Sequence, residues 1–214
     1  MSIIKKFTAA ATVAAAVMAF SAPANAVLVT SAAPTTSFSW SYNTGTSLLT
    51  GTGSMTLSGF NTGSLGLLVT LTNTSLLGGQ GGERLTSFGF GIDPNATGVS
   101  FSDASDGGMI NASLARIPSL ATIEVCAFGG QNCSGGGSGG IRGAGGSDTF
   151  RLYLTGIWGG SVNIDPIGFK YQTGYGSFEF TTSSGGSVPE PGSLSLLGLG
   201  LLGIGFMRRA RKAA

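Results

Sequence analysis

The feature that most constrains the fold is a two-residue alternation of apolar and small or polar side chains, renewed along the chain between Phe38 and Phe180. Phe38, Trp40 and Tyr42 fall on one face of an extended segment, with Ser39 and Ser41 on the other. Met55 and Leu57 alternate with Thr56 and Ser58. Leu67, Val69 and Leu71 alternate with Leu68, Thr70 and Thr72. Phe88, Phe90 and Ile92 alternate with two glycines, and Ile123 and Val125 follow the same rule. Phe150, Leu152 and Leu154 oppose Arg151, Tyr153 and Thr155, and Phe178 and Phe180 flank Glu179. Successive side chains of a strand point to opposite faces, so this period predicts half-buried strands. No stretch of the domain shows a helical period. Glycine and Asn/Asp-rich turns separate the runs.

The expected fold is therefore all-β: a single antiparallel β-sandwich or jelly-roll-like domain of about eight to ten strands over residues 27–183. A β-solenoid is the alternative, because 38 of the 214 residues are glycine. Against it, no fixed repeat period is found. Only 9 % of the chain is charged, but 42 % is hydrophobic, and this sets it apart from disordered sequences. Residues 184–187 form a short Gly/Ser linker after the last expected strand.

Both ends differ from the domain. Lys5 and Lys6 precede an apolar run from Phe7 to Phe20, a break at Ser21-Ala22-Pro23, and Ala24-Asn25-Ala26. A basic start, an apolar run and a small-x-small site predict a secretory signal peptide over residues 1–26, cleaved after Ala26. The other end reads Val188-Pro189-Glu190-Pro191, then apolar residues 194–207, then a basic stop at Arg208, Arg209, Arg211 and Lys212. As a helix, 194–207 would be about 21 Å long at ~1.5 Å per residue, against ~30 Å of hydrocarbon. It is expected to be a marginal membrane span that holds the chain transiently. The basic stop stays cytoplasmic by the positive-inside rule. Pro189 and Pro191 keep the preceding segment extended and open to a processing protease.

This tail resembles the PEP-CTERM sorting signal. The resemblance implies a Gram-negative bacterium and processing by an exosortase, a membrane-embedded cysteine protease-transpeptidase. It also implies delivery to the cell surface or an extracellular matrix, in bacteria that make exopolysaccharide. The segment Cys126–Gly137 is similar to the cistern subgroup of these proteins, a likeness that brings no activity with it.

The net charge of +2 belongs to the ends. Residues 27–187 hold five basic side chains against eight acidic ones, a net of −3. No basic cluster remains in the domain to hold nucleic acid. Cys126 and Cys133, the only cysteines, are expected to pair after export. Two thiols without histidine are too few for zinc. Residues 134–146, rich in glycine and serine, read as an exposed flexible loop, since they lack the setting of a phosphate cradle.

The chain has no histidine, which removes Ser-His-Asp and Cys-His catalysis and histidine-based metal sites. A carboxylate pair for glycoside hydrolysis is the remaining enzymatic option, and spacing selects none. Asp103 and Asp106 read as solvated turn acids in preference to calcium ligands. No cofactor and no metal are expected. Four Asn-x-Ser/Thr sequons, at Asn73, Asn95, Asn111 and Asn132, read as chance. Trp40, Tyr42, Trp158 and Tyr175 are candidates for stacking on sugar, with Trp158 first because glycines place it near a turn.

Three functions compete on these grounds. The leading one is a non-catalytic structural or interaction protein of the cell surface or exopolysaccharide matrix. The second is a carbohydrate-binding module, and the third a secreted glycan-acting enzyme. The expected partners are the secretion machinery, exosortase, the cytoplasmic membrane transiently, and extracellular polysaccharide.

Overall fold

The structure, a computed structural model, describes residues 27–31, 35–76, 82–104 and 106–182. The signal peptide, the linker, the sorting motif and the basic stop lie outside these residues. The described residues form two antiparallel sheets and no helix. The strands are β1 (Val27–Thr30), β2 (Thr35–Asn43), β3 (Leu48–Phe60), β4 (Ser64–Asn73), β5 (Arg84–Asp93) and β6 (Ala96–Asp103). They continue with β7 (Asn111–Ser113), β8 (Val125–Phe128), β9 (Ile141–Arg142), β10 (Gly146–Gly156), β11 (Ser161–Thr173) and β12 (Gly176–Thr182).

The five-stranded sheet runs β2-β3-β4-β10-β6. In the seven-stranded sheet β11 and β5 form the centre. β1 and β12 pair with successive stretches of β11, and β8 and β9 pair with successive stretches of β5. β7 closes the edge beyond β8. The expected eight to ten strands become twelve because β1, β7 and β9 are only four, three and two residues long. Elements so short carry no periodic signal.

The inner faces meet in one core. Phe38 and Trp40 of β2, Leu67, Val69 and Leu71 of β4, and Phe150, Leu152 and Leu154 of β10 pack against Phe88, Phe90, Phe169 and Tyr171 of the other sheet. Trp40 stacks on Phe169 at 4.2 Å between ring centroids, and Phe38 on Phe88 at 6.0 Å. Two glycines of β3 make room for the β2 rings. Gly51 lies opposite Trp40 and Gly53 opposite Phe38, and a Cβ at either position would enter the ring it faces. Tyr42, the last of its alternating set, sits at the rim, partly exposed and stacked on Phe180 at 4.5 Å.

The large sheet is covered on its outer face too. Gly89 and Gly168 are in contact with Ile123, and Leu120 also reaches Gly168. Ile117, Ile123, Cys126, Phe128 and Cys133 form a second apolar cluster there. This corrects the pairing of Ile123 with Val125. Val125 faces the main core, whereas Ile123 precedes the strand and packs on the opposite face. Cys126 and Cys133 are joined in a disulfide with a Cα–Cα distance of 6.1 Å, which fixes the end of this layer.

The glycine-rich segment 134–146 is exposed along much of its length, as expected, but it is anchored by buried residues, Gly135, Gly140, Ile141 and Gly143. Ile141 is buried and pairs with Leu85 through β9. Gly139 lies so close to the Gly129 carbonyl that no Cβ fits, and Gly140 meets the Leu85 carbonyl with φ at +106°. Glycine here serves close backbone approach.

Candidate functional site

The inward alternation of three strands ends in polar side chains. In β4 the series Leu67, Val69, Leu71 continues to Asn73. In β6 the series Val99, Phe101 continues to Asp103. In β10 the series Leu154, Leu152, Phe150 runs back to Asp148. Each of these polar groups therefore occupies a core-face position at the end of a strand.

Asn73 is fully buried and organises one junction. Its Nδ2 donates to the carbonyls of Glu83 (3.0 Å) and Ile141 (2.9 Å). Its Oδ1 accepts from Ser75 N–H (3.1 Å) and from the Tyr171 hydroxyl (3.1 Å). That hydroxyl accepts in turn from Trp40 Nε1 at 2.8 Å. Burial pushes the Tyr171 hydroxyl up to about 12, so it stays a neutral donor. The network joins β2, β4 and β11 across the sandwich. An asparagine held this way is no acceptor for a glycan in the folded chain.

Asp148 and Asp103 form the other junction, with Asp106. Asp103 pairs in register with Phe150, so Asp148 is its diagonal neighbour on the inner face. The chain then leaves β6 and turns through Asp106, Gly107 and Gly108 before entering β7 in the other sheet. This turn brings carboxylate oxygens of Asp103, Asp106 and Asp148 within 4.8 Å of one another. Asp148 Oδ2 accepts from Met109 N–H at 2.6 Å. A Cβ on Gly108 would overlap the Asp148 carboxylate, so glycine is needed for this approach. Burial pushes the Asp148 carboxyl up to about 6; the Met109 and Thr149 amides oppose the shift and the charges of Asp103 and Asp106 add to it. Asp103 is also raised, by burial first and by Asp106 second, against the Ala104 amide. Beside the cluster lies a recess of about 420 Å³ lined by Arg84, Asp106, Ser138, Arg142 and Ser147.

Asp103 and Asp106, expected as solvated turn acids, are thus brought together with Asp148, to which spacing along the chain assigns no role. The missed signal was the alternation itself: it places Asp148 on the same face as Phe150, and Asp103 on the same face as Phe101. The opposite correction applies to Trp158. It is 1 % exposed, its indole covers Gly156, and its Nε1 donates to the Pro94 carbonyl at 2.9 Å. It is a structural residue with no face left for a sugar. Trp40 is buried likewise, while Tyr175 is exposed in the turn between β11 and β12.

The fold and the disulfide define a β-sandwich of a kind suited to life outside a reducing cytoplasm. The family model of the PEP-CTERM protein-sorting motif matches residues 187–212. The chain thus carries a PEP-CTERM sorting motif, which implies export, passage through the membrane and processing by exosortase. The match does not extend to Cys126–Gly137, so it lends nothing to the cistern likeness. Neither the curated proteins nor the solved structures yield a match to this chain. Among the described residues no helix is long and apolar enough to cross a membrane.

Proposed function

We propose that this protein is a non-catalytic component of the cell surface or extracellular matrix of a Gram-negative bacterium, associated there with exopolysaccharide. The observation that carries this reading is the sorting motif at residues 187–212, joined to a closed sandwich with few charges. Supporting it, the chain offers no histidine, and both cysteines are in the disulfide. The acids of the domain serve as structural or binding groups in this view.

Changing Pro189-Glu190-Pro191 to alanines tests the sorting step. The variant is expected to accumulate in the cytoplasmic membrane fraction, while the parent chain reaches the surface or medium. Equal release of both in fractionation would overturn the reading.

A carbohydrate-binding role is favoured by one separate observation. The outer face of the five-stranded sheet carries a recess of about 480 Å³ whose lining includes Ser37, Ser39, Thr52, Ser54, Thr70 and Thr72. A shallow bed of hydroxyls can exchange hydrogen bonds with a sugar chain. Retention of the protein on the organism's own polysaccharide, lost when Thr52 and Thr70 are changed to valine, would select this reading over a purely structural one.

A further inference from the structure

We propose that Asp103, Asp106 and Asp148 form a calcium-binding site that pins the crossing from the five-stranded to the seven-stranded sheet. Three features place it. Carboxylate oxygens from all three residues lie within 4.8 Å of one another. Among the described residues, the two buried side-chain oxygens without a hydrogen-bond partner are Asp103 Oδ1 and Asp148 Oδ1, and both belong to this cluster. Asp148 is 3 % exposed and sits on the core face of β10, where a carboxylate oxygen without a partner is costly.

Coulomb repulsion among three carboxylates and the loss of hydration at Asp148 both oppose the metal-free arrangement. Arg84 and Arg142 line the same recess as Asp106, but among the described residues neither forms an ion pair with the three acids. A divalent cation removes both costs at once. The donors are all oxygen, which selects a hard cation over zinc or copper. Oxygens spread over several ångströms suit calcium, with bonds of about 2.3–2.6 Å, better than magnesium at about 2.0–2.1 Å. Gly107, with φ at +101°, and Gly108 let the turn bring Asp106 over the two strand-end acids. Water completes the coordination shell. The inference does not depend on the sorting motif.

The test uses the full chain, purified in mild detergent and freed of metal with EDTA. Calorimetric titration with CaCl₂ is expected to show one site with Kd in the range of about 0.1–1 mM, as in other extracellular calcium modules. Thermal unfolding is expected to shift upward by about 3–5 °C at about 2 mM free calcium. Asp106→Asn, at an exposed position, should weaken binding by about tenfold through the lost ligand charge. Asp148→Asn keeps the acceptor for Met109 N–H. It should abolish the calcium shift while the EDTA-treated variant melts no lower than the EDTA-treated parent. An upward shift reproduced by NaCl at equal ionic strength, a silent titration of the parent chain, or an unchanged response in both variants would each overturn the site.

Discussion

Two residues show how differently this domain treats buried charge. Asp148 meets its neighbours as a like charge, whereas Glu179 meets Lys170 as an opposite one. The Lys170 ammonium donates to Glu179 Oε1, and Ser119 N–H donates to Glu179 Oε2 at 2.7 Å. Burial alone would raise the Glu179 carboxyl, but the hydrogen bonds from Lys170 and Ser119 outweigh it and leave it below its ordinary value. A carboxyl lowered on folding adds stability that is complete above its unfolded value of about 4.5 and lost as pH falls through the folded one. Glu179→Gln should therefore flatten the acid limb of the stability profile below about pH 4.5. At pH 7 it should destabilise by about 3 kcal/mol, since Lys170 would be left buried and unpaired. Urea unfolding across pH measures both. Glu179 was legible as an outward residue between two inward phenylalanines. Its partner was not, because Lys170 reaches it only through the β11–β12 register.

At the scale of elements, glycine is the common device. In β3 it makes room for rings from β2, and in segment 134–146 it lets backbones touch. Gly140 combines a positive φ with a carbonyl at its Cβ position, whereas Gly59 has neither constraint. Gly140→Ala is expected to cost about 2–4 kcal/mol, from backbone strain and overpacking together. Gly59→Ala, in β3 with open space around it, should fall within about 0.5 kcal/mol of the parent. Chemical denaturation of the two variants separates an anchored segment from a free loop, for which both changes would be mild. The long strands were legible because their inner faces alternate over four or more residues. β5 was read correctly on its phenylalanine face and incompletely on its glycine face. The layer over Gly89 comes from residues 117–123, more than two dozen positions later, and composition gives no hint of it. In residues 134–146 the buried anchors Gly140 and Ile141 escape the sequence pattern for a related reason. A glycine-rich sequence is compatible both with freedom and with the tightest contact, and only a partner surface distinguishes them.

For the whole molecule, charge separates the body from its ends. The tail-bearing chain over residues 27–214 has nine basic and nine acidic side chains, whereas residues 27–187 have five against eight. A form that has lost both ends should therefore focus at a distinctly more acidic pI than the charge-balanced chain 27–214 that is held at the membrane. Isoelectric focusing of membrane and surface fractions should resolve the two. A surface species that focuses with the membrane-held one would mean that the tail is retained. The three acids and the hydroxyl-lined recess use opposite faces of the β4–β10 pair, Asp148 facing the core and Thr70 and Thr72 facing outward.

The sequence by itself determined the all-β architecture, the pairing of the two cysteines and the sorting tail. Each is local information: a two-residue period, a pair of residues with no competitor, and a contiguous motif. Only the tertiary structure decided that Trp158 is buried, that the glycine-rich segment is anchored through Gly140 and Ile141, and that Asp148 meets Asp103 and Asp106. Those outcomes depend on which strands become neighbours and in what register. Alternation fixes the face on which a side chain lies, but not the residues that the other strands and crossings bring against it.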